Sequence, residues 1–281
     1  MIDIHPHVIS RDTAGYPLAP LGGKQSAWSQ ERPADTEQLL AQMDQAGIER
    51  AALVQAATAY GNDNSYVADS VDAHPDRFTG VCTVDVIAED AIAKLGYWLE
   101  ERGLSGVRLF TSGSTMTGQA DWMTDEAARP AWAYLEKHRV PVSVQMRPPG
   151  IPQVRTVLEA FPQLRIVVDN AARVETAGGP PYPAASALFD LATAGEVYVK
   201  VTTNTLRRAE KEAGGAAAFM RVLCDRIGSQ RVAWGSDYPA MDGELKDLVA
   251  FGERCTASLS PDERADVFGG TAARLYPALA A

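Results

Sequence analysis

Eight short apolar runs rich in β-branched residues, each followed by a stretch with helical spacing, recur from one end of this 281-residue chain to the other. They fall at residues 2–4, 51–54, 78–83, 106–110, 140–144, 164–168, 197–201 and 231–235. Strands that alternate with helices favour parallel βαβ units, because a parallel pair needs a long crossover between its strands. Eight is also the number at which a parallel sheet closes and loses its edges. The expected fold is therefore an α/β (β/α)8 TIM barrel, a single domain over residues 1–281. Periodicity alone leaves an open doubly wound sheet as the alternative.

The helical stretches carry start and stop signals. Asp35 or Thr36 can cap a helix that presents Leu39, Leu40 and Met43 on one face, and Gly47 is a plausible stop. Further helices are expected at residues 66–73, 91–101, 126–137, 151–160, 184–194, 216–226 and 245–255, with residues 261–275 forming a last helix on the outside of the barrel. Two segments break the rhythm. Residues 8–33 form a long loop after the first strand, containing Tyr16, Leu18 and Trp28, and residues 111–121 form a polar loop after the fourth. Loops that follow strands lie at the catalytic face, so the 8–33 loop is expected to cover the mouth.

Composition narrows the partners. A formal net charge of −10 argues against nucleic acid and anionic membranes, which need a surplus of Lys and Arg. Cys82, Cys224 and Cys255 are sparse and unpaired in spacing, as in a reduced cytoplasmic protein, not a disulfide frame. The first apolar run follows Met1 directly, so no leader is expected, and no apolar stretch is long enough for a bilayer. The expected partner is a small anionic or carbonyl-bearing substrate, with a homodimer left open.

Candidate chemistry gathers at the two ends of the chain. In Asp3-Ile4-His5-Pro6-His7, residues two apart on an extended strand share a side, so His5 and His7 can both face the mouth. Two imidazoles there can bind a divalent cation or grip an oxyanion. Asp237, in Trp234-Gly235-Ser236-Asp237-Tyr238-Pro239, closes the eighth strand, which neighbours the first in a closed barrel. A carboxylate at that point can take a proton from water and can touch a metal. His74 and His138 precede strands, at the opposite face, and read as helix-terminal groups.

These motifs, with Gly106-Val107-Arg108-Leu109-Phe110 and the segments at residues 73–81, 140–146, 165–175, 197–202 and 269–276, resemble the amidohydrolase superfamily. The resemblance spans almost the whole chain and is nearest to the 2-pyrone-4,6-dicarboxylate lactonase group. It implies a hydrolase acting on a small carboxylated lactone or related cyclic carbonyl compound. Asp237 would be the base for water, His5 and His7 would line the site, and Arg108 would contact a substrate carboxylate. Metal-dependent members carry histidines after the fifth and sixth strands, where this chain has Gln145 and Asn170.

Amide oxygens are poor zinc ligands. The resemblance thus leaves open catalysis with no metal, or with one weakly held Mn²⁺ or Zn²⁺ on His5, His7 and Asp237. Asn170 would add a hydrogen bond to a developing oxyanion. Gln145, Arg147, Arg173, Lys200 and Tyr238 are the remaining substrate-binding candidates, the cations suiting an anionic substrate. A metal-dependent decarboxylase or hydratase, and a non-catalytic small-molecule-binding or partner subunit, are the alternatives.

Overall fold

The computed structural model describes residues 1–111 and 122–280, so most of the expected 111–121 loop lies outside the described residues. The eight strands are β1 (Ile2–Asp3), β2 (Arg50–Val54), β3 (Phe78–Cys82), β4 (Gly106–Phe110), β5 (Pro141–Gln145), β6 (Arg165–Val168), β7 (Val197–Thr202) and β8 (Val232–Gly235). They pair in parallel in sequence order, each with the next. The barrel expectation holds, and the open sheet is excluded by the contact between β8 and β1.

Closure at that seam is built from particular atoms. The Ile4 N–H donates to the Trp234 carbonyl at 3.4 Å, and the His7 N–H to the Tyr238 carbonyl at 2.8 Å. The buried Asp3 carboxylate accepts from the N–H groups of His5 and Ser236, both at 2.9 Å, and so latches the end of one strand to the end of the other. Gly235 makes the approach possible. A Cβ there would lie 2.5 Å from the His5 Cβ, closer than side chains tolerate, and 3.1 Å from its backbone nitrogen.

The helices follow the predicted stretches closely, because their apolar stripes bury against the outer face of the sheet. Thr36–Ala46 begins with a capping box in which Asp35 accepts from the Gln38 N–H, and it ends at Gly47 in a left-handed conformation. The helix Thr203–Glu210, directly after β7, was not foreseen. Nor were the short helices Ala27–Glu31 and Ala57–Tyr60. Among the described residues no helix is long and apolar enough to cross a membrane.

The end of the chain departs from expectation. Val267 and Phe268 pack on the outer core, but Ala272, Leu275, Tyr276 and Leu279 join Ile4, Ala52, Val54, Val81, Val167 and Ala233 in a separate buried cluster. Arg50, at the start of β2, donates to the Leu279 carbonyl at 3.1 Å. The last residues therefore pack beneath the barrel, at the starts of the strands, and do not stay on its side. Small inward-facing side chains leave room for the wholly buried Tyr276, and a Cβ on Gly106 would meet its ring at 2.9 Å.

Candidate active site

A cleft of about 280 Å³ opens at the ends of the strands. Its lining includes His7, Trp28, Gln55, Arg108, Phe110, Gln145, Asn170, Arg173 and Asp237. His5 lies directly beneath, with no exposed surface. A volume of this order suits a small ligand.

The opposite ends of the chain meet here as expected. Asp237 Oδ1 is 3.9 Å from His5 Nε2 and 3.7 Å from His7 Nε2. His7 Nδ1 is 2.7 Å from the Val54 carbonyl, which can only accept, so Nδ1 carries the ring proton and Nε2 offers its lone pair. Burial, and after it the charges of Lys200 and Arg108, hold His5 well below the usual histidine range and keep it neutral. Neither of its ring nitrogens has a hydrogen-bond partner among the described residues.

The ligating atoms of His5, His7 and Asp237 lie within 4.8 Å of one another. With two imidazole nitrogens and a carboxylate oxygen, this set fits a divalent cation, and the buried, unpartnered Nε2 of His5 is what such an ion would satisfy. The two amides, Asn170 and Gln145, do different things. Asn170 Oδ1 accepts from the Thr202 hydroxyl, which leaves its NH₂ group as the donor. Gln145 lines the cleft with a buried Oε1 that has no hydrogen-bond partner among the described residues.

The cationic candidates divide sharply. Arg108 lines the cleft but is only 6% exposed; its Nε donates to Asp169 at 2.8 Å, and its guanidinium lies 4.9 Å from the centre of the Phe110 ring. Its charge is largely committed inside the protein. Lys200 is a correction. β7 runs on to Thr202, which places Lys200 one layer down, wholly buried, 2.9 Å from Asp169 and 3.2 Å from the Ser143 hydroxyl. It does not reach the cleft. Tyr238 is another correction: its ring packs against the core outside the barrel and does not line the cleft. Arg147 is exposed and stands outside the lining, near enough to act on the charge of Arg173.

Among the described residues, Arg173 lines the cleft outside any salt bridge, with Asp237 near enough to act on its charge. Its Nε is buried with no hydrogen-bond partner, and burial, then Arg208 and Arg147, push its guanidinium below the usual range. The backbone that delivers it is unusual. Asn170, Ala171, Ala172 and Arg173 all have φ between 49° and 52°, a left-handed turn of four non-glycine residues. Each such residue costs roughly 1–2 kcal/mol, and strain of this kind collects at functional sites. Its outcome is that both Asn170 and Arg173 line the cleft while Ala171 and Ala172 are buried.

The segment at residues 8–33 is less loop-like than expected, since it contains Leu21–Gly23 and Ala27–Glu31 as short helical pieces. Trp28 stacks on His7 with ring centroids 5.4 Å apart, and Ser26 also lines the cleft. Tyr16 turns away instead, donating to Asp69 at 2.6 Å and packing on Tyr66.

Sequence reasoning missed two buried polar groups, Asp169 and Gln55. Gln55 follows β2 and donates to the carbonyls of Gly61 and Asp63. Asp169 follows β6, where Lys200 and Arg108 overcome the rise that burial would cause and hold its carboxyl below the usual range. Both stand directly after an apolar run, which is the signal that could have found them.

Known proteins resemble this chain over most of its length. The model of the family described as amidohydrolase matches residues 2–278. An L-fucono-1,5-lactonase from Burkholderia ambifaria is 28% identical over 98% of this chain and 94% of its own length. A 4-sulfomuconolactone hydrolase from Rhizobium radiobacter is 27% identical over 88% of this chain and 82% of its own. Among solved structures, a zinc-bound amidohydrolase from Burkholderia multivorans superposes with a TM-score of 0.76 at 23% identity, each chain covered to 98%.

Proposed function

Because this chain belongs to the amidohydrolase family, we propose that it hydrolyses a small carboxylated lactone or related cyclic carbonyl compound, with Asp237 as the base that activates water. The observation that carries the reading is the approach of Asp237 to both imidazoles, at 3.7 and 3.9 Å, in a cleft that Arg173 also lines with its Nε free of hydrogen bonds among the described residues. Two curated relatives of near full-length coverage bear the names of lactone hydrolases, which supports the reaction class.

Asp237 accepts a proton from the water as its oxygen bonds to the lactone carbonyl carbon. The negative charge that develops on the carbonyl oxygen is met by the Asn170 NH₂ group, oriented by Thr202. One well-placed donor of this kind is worth about 3 kcal/mol of barrier. Collapse of the tetrahedral adduct breaks the ring C–O bond, and the proton held by Asp237 passes to the departing oxygen. The product is a hydroxy acid. Arg173 takes the substrate's carboxylate by a charge-assisted hydrogen bond, and Trp28 and Ser26 wall the mouth beside His7.

His5, His7 and Asp237 would hold a divalent cation such as Mn²⁺ or Zn²⁺. When bound, it supplies Lewis-acid polarisation of the carbonyl. His7 offers its Nε2 lone pair toward Asp237, so it suits a cation better than it suits direct donation to an oxyanion.

The test is turnover of a lactone panel that pairs carboxylated members with neutral sugar lactones, followed by acid release with and without added Mn²⁺ or Zn²⁺. Hydrolysis of the carboxylated members is expected. No turnover of either class under any metal condition overturns the reading.

A further inference from the structure

Asp169 takes no part in the hydrolysis described above, yet it sits where Arg108, Lys200 and His5 meet. One carboxylate oxygen accepts from Arg108 Nε at 2.8 Å. The other is 2.9 Å from Lys200 Nζ and 4.0 Å from His5 Nδ1. Asp169, Lys200 and His5 have no exposed surface, and Arg108 has almost none. His5 therefore lies between two carboxylates, Asp169 on the side of Nδ1 and Asp237 on the side of Nε2.

We propose that Asp169 is a positioning residue that keeps the single ring proton of His5 on Nδ1, so that the Nε2 lone pair stays turned toward Asp237. The inference rests on the reading that His5 serves the site.

Left to themselves, the two buried cations would favour a lone pair on Nδ1 and would turn the ring proton toward Asp237. That orientation fills with a hydrogen the point where a cation would bind. The carboxylate bridging Arg108 and Lys200 stands on the Nδ1 side and opposes that preference, and the low dielectric of the barrel interior leaves its field poorly screened. The two cations in turn keep the carboxylate in place. A histidine that donates its far N–H to a carboxylate while its other nitrogen faces a metal is a recurring arrangement, in which loss of the carboxylate typically weakens metal binding or activity by about 10–100-fold. At 4.0 Å Asp169 acts on His5 through its charge and not through a hydrogen bond.

The test begins on the unaltered protein. In metal-free, histidine-labelled protein at neutral pH, ring nitrogen and carbon shifts of His5, assigned by difference against H5N, are expected to report the Nδ1–H tautomer. A charge-balanced double variant, D169N with K200M, keeps the net charge of the cluster and separates positioning from neutralisation. In it the Nε2–H form is expected to dominate, Mn²⁺ affinity measured by chelator competition to fall by about 10–100-fold, and kcat to fall with KM little changed.

An Nε2–H tautomer in the unaltered protein overturns the proposal, and so does Mn²⁺ binding by the double variant as tight as in the parent. Should the double variant not fold, the tautomer of the unaltered protein decides alone. If no lactone is turned over but the tautomer and the affinity respond as expected, the hydrolysis reading fails and the role of Asp169 stands.

Discussion

The Nε2 atom of His7 and the Oδ1 atom of Asp237 stand 3.7 Å apart, although they come from opposite ends of the chain. With the His7 proton held on Nδ1 by the Val54 carbonyl, this is an approach of two electron-pair donors. Only a cation or a transferred proton makes such an approach favourable, and the mouth of the barrel is organised around that fact.

Replacing Asp237 by Asn removes the base while keeping the size of the side chain. General-base catalysis is typically worth about 10²–10⁴-fold, so kcat on a carboxylated lactone is expected to fall by that order. Circular dichroism and the thermal midpoint should change little, because Asp237 is at the rim of the core. Full activity in D237N would remove the base from the mechanism.

Arg173 and Arg108 should behave differently. R173Q is expected to raise KM about 10–100-fold for carboxylated lactones, as loss of a charged hydrogen bond worth about 1.5–3 kcal/mol implies. KM for any neutral lactone turned over should stay put. R108M breaks a buried pair and is expected to lower stability by up to about 3–5 kcal/mol. Chemical denaturation of both variants, with steady-state kinetics on paired substrates, checks the contrast; equal KM effects on charged and neutral lactones in R173Q would contradict it.

Gly235→Ala tests the seam. The new methyl would meet the His5 Cβ at 2.5 Å, so β1 and β8 must separate. Overpacking of this kind costs typically about 1–3 kcal/mol. Because the displaced residue is His5, activity should drop even at temperatures where the variant is fully folded. A variant as active and as stable as the parent would mean that the seam is looser than described.

The depressed pKa of His5 gives a pH signature in chelator-treated protein. The unfolded chain takes up a proton near pH 6.5 that the folded chain resists, so the unfolded state binds more protons below that point. This contribution is constant above about pH 6.5. Stability then falls as pH drops below it, with a limiting slope of about 1.4 kcal/mol per pH unit, until His5 titrates in the folded state. Denaturation midpoints from pH 8 to 5 for the parent and H5Q would show it, and parallel curves would refute it.

Much of the fold was legible because burial imposes a pattern. Strands covered on both faces read as apolar runs, and the observed strands begin and end within a residue or so of those runs. The helix caps at Asp35 and Gly47 were readable because capping is local. The left-handed turn from Asn170 to Arg173 was not, since nothing in Asn-Ala-Ala-Arg calls for it. Neither was the fold of Tyr276 beneath the barrel, which depends on small side chains drawn from several strands.

The sequence by itself determined eight strand–helix units and put His5, His7 and Asp237 at strand ends, because burial imposes that periodicity. The contact of β8 with β1 that brings the three together was decided by the tertiary structure. Only the tertiary structure decided which cation serves the cleft. A strand one residue longer than its apolar run carries Lys200 inward to Asp169, and Arg108 reaches the same carboxylate from β4. Charge pairing is set by distances across the barrel, and those depend on the depth and register of strands that are remote in sequence, so among the described residues Arg173 emerges as a cleft-lining cation outside any salt bridge.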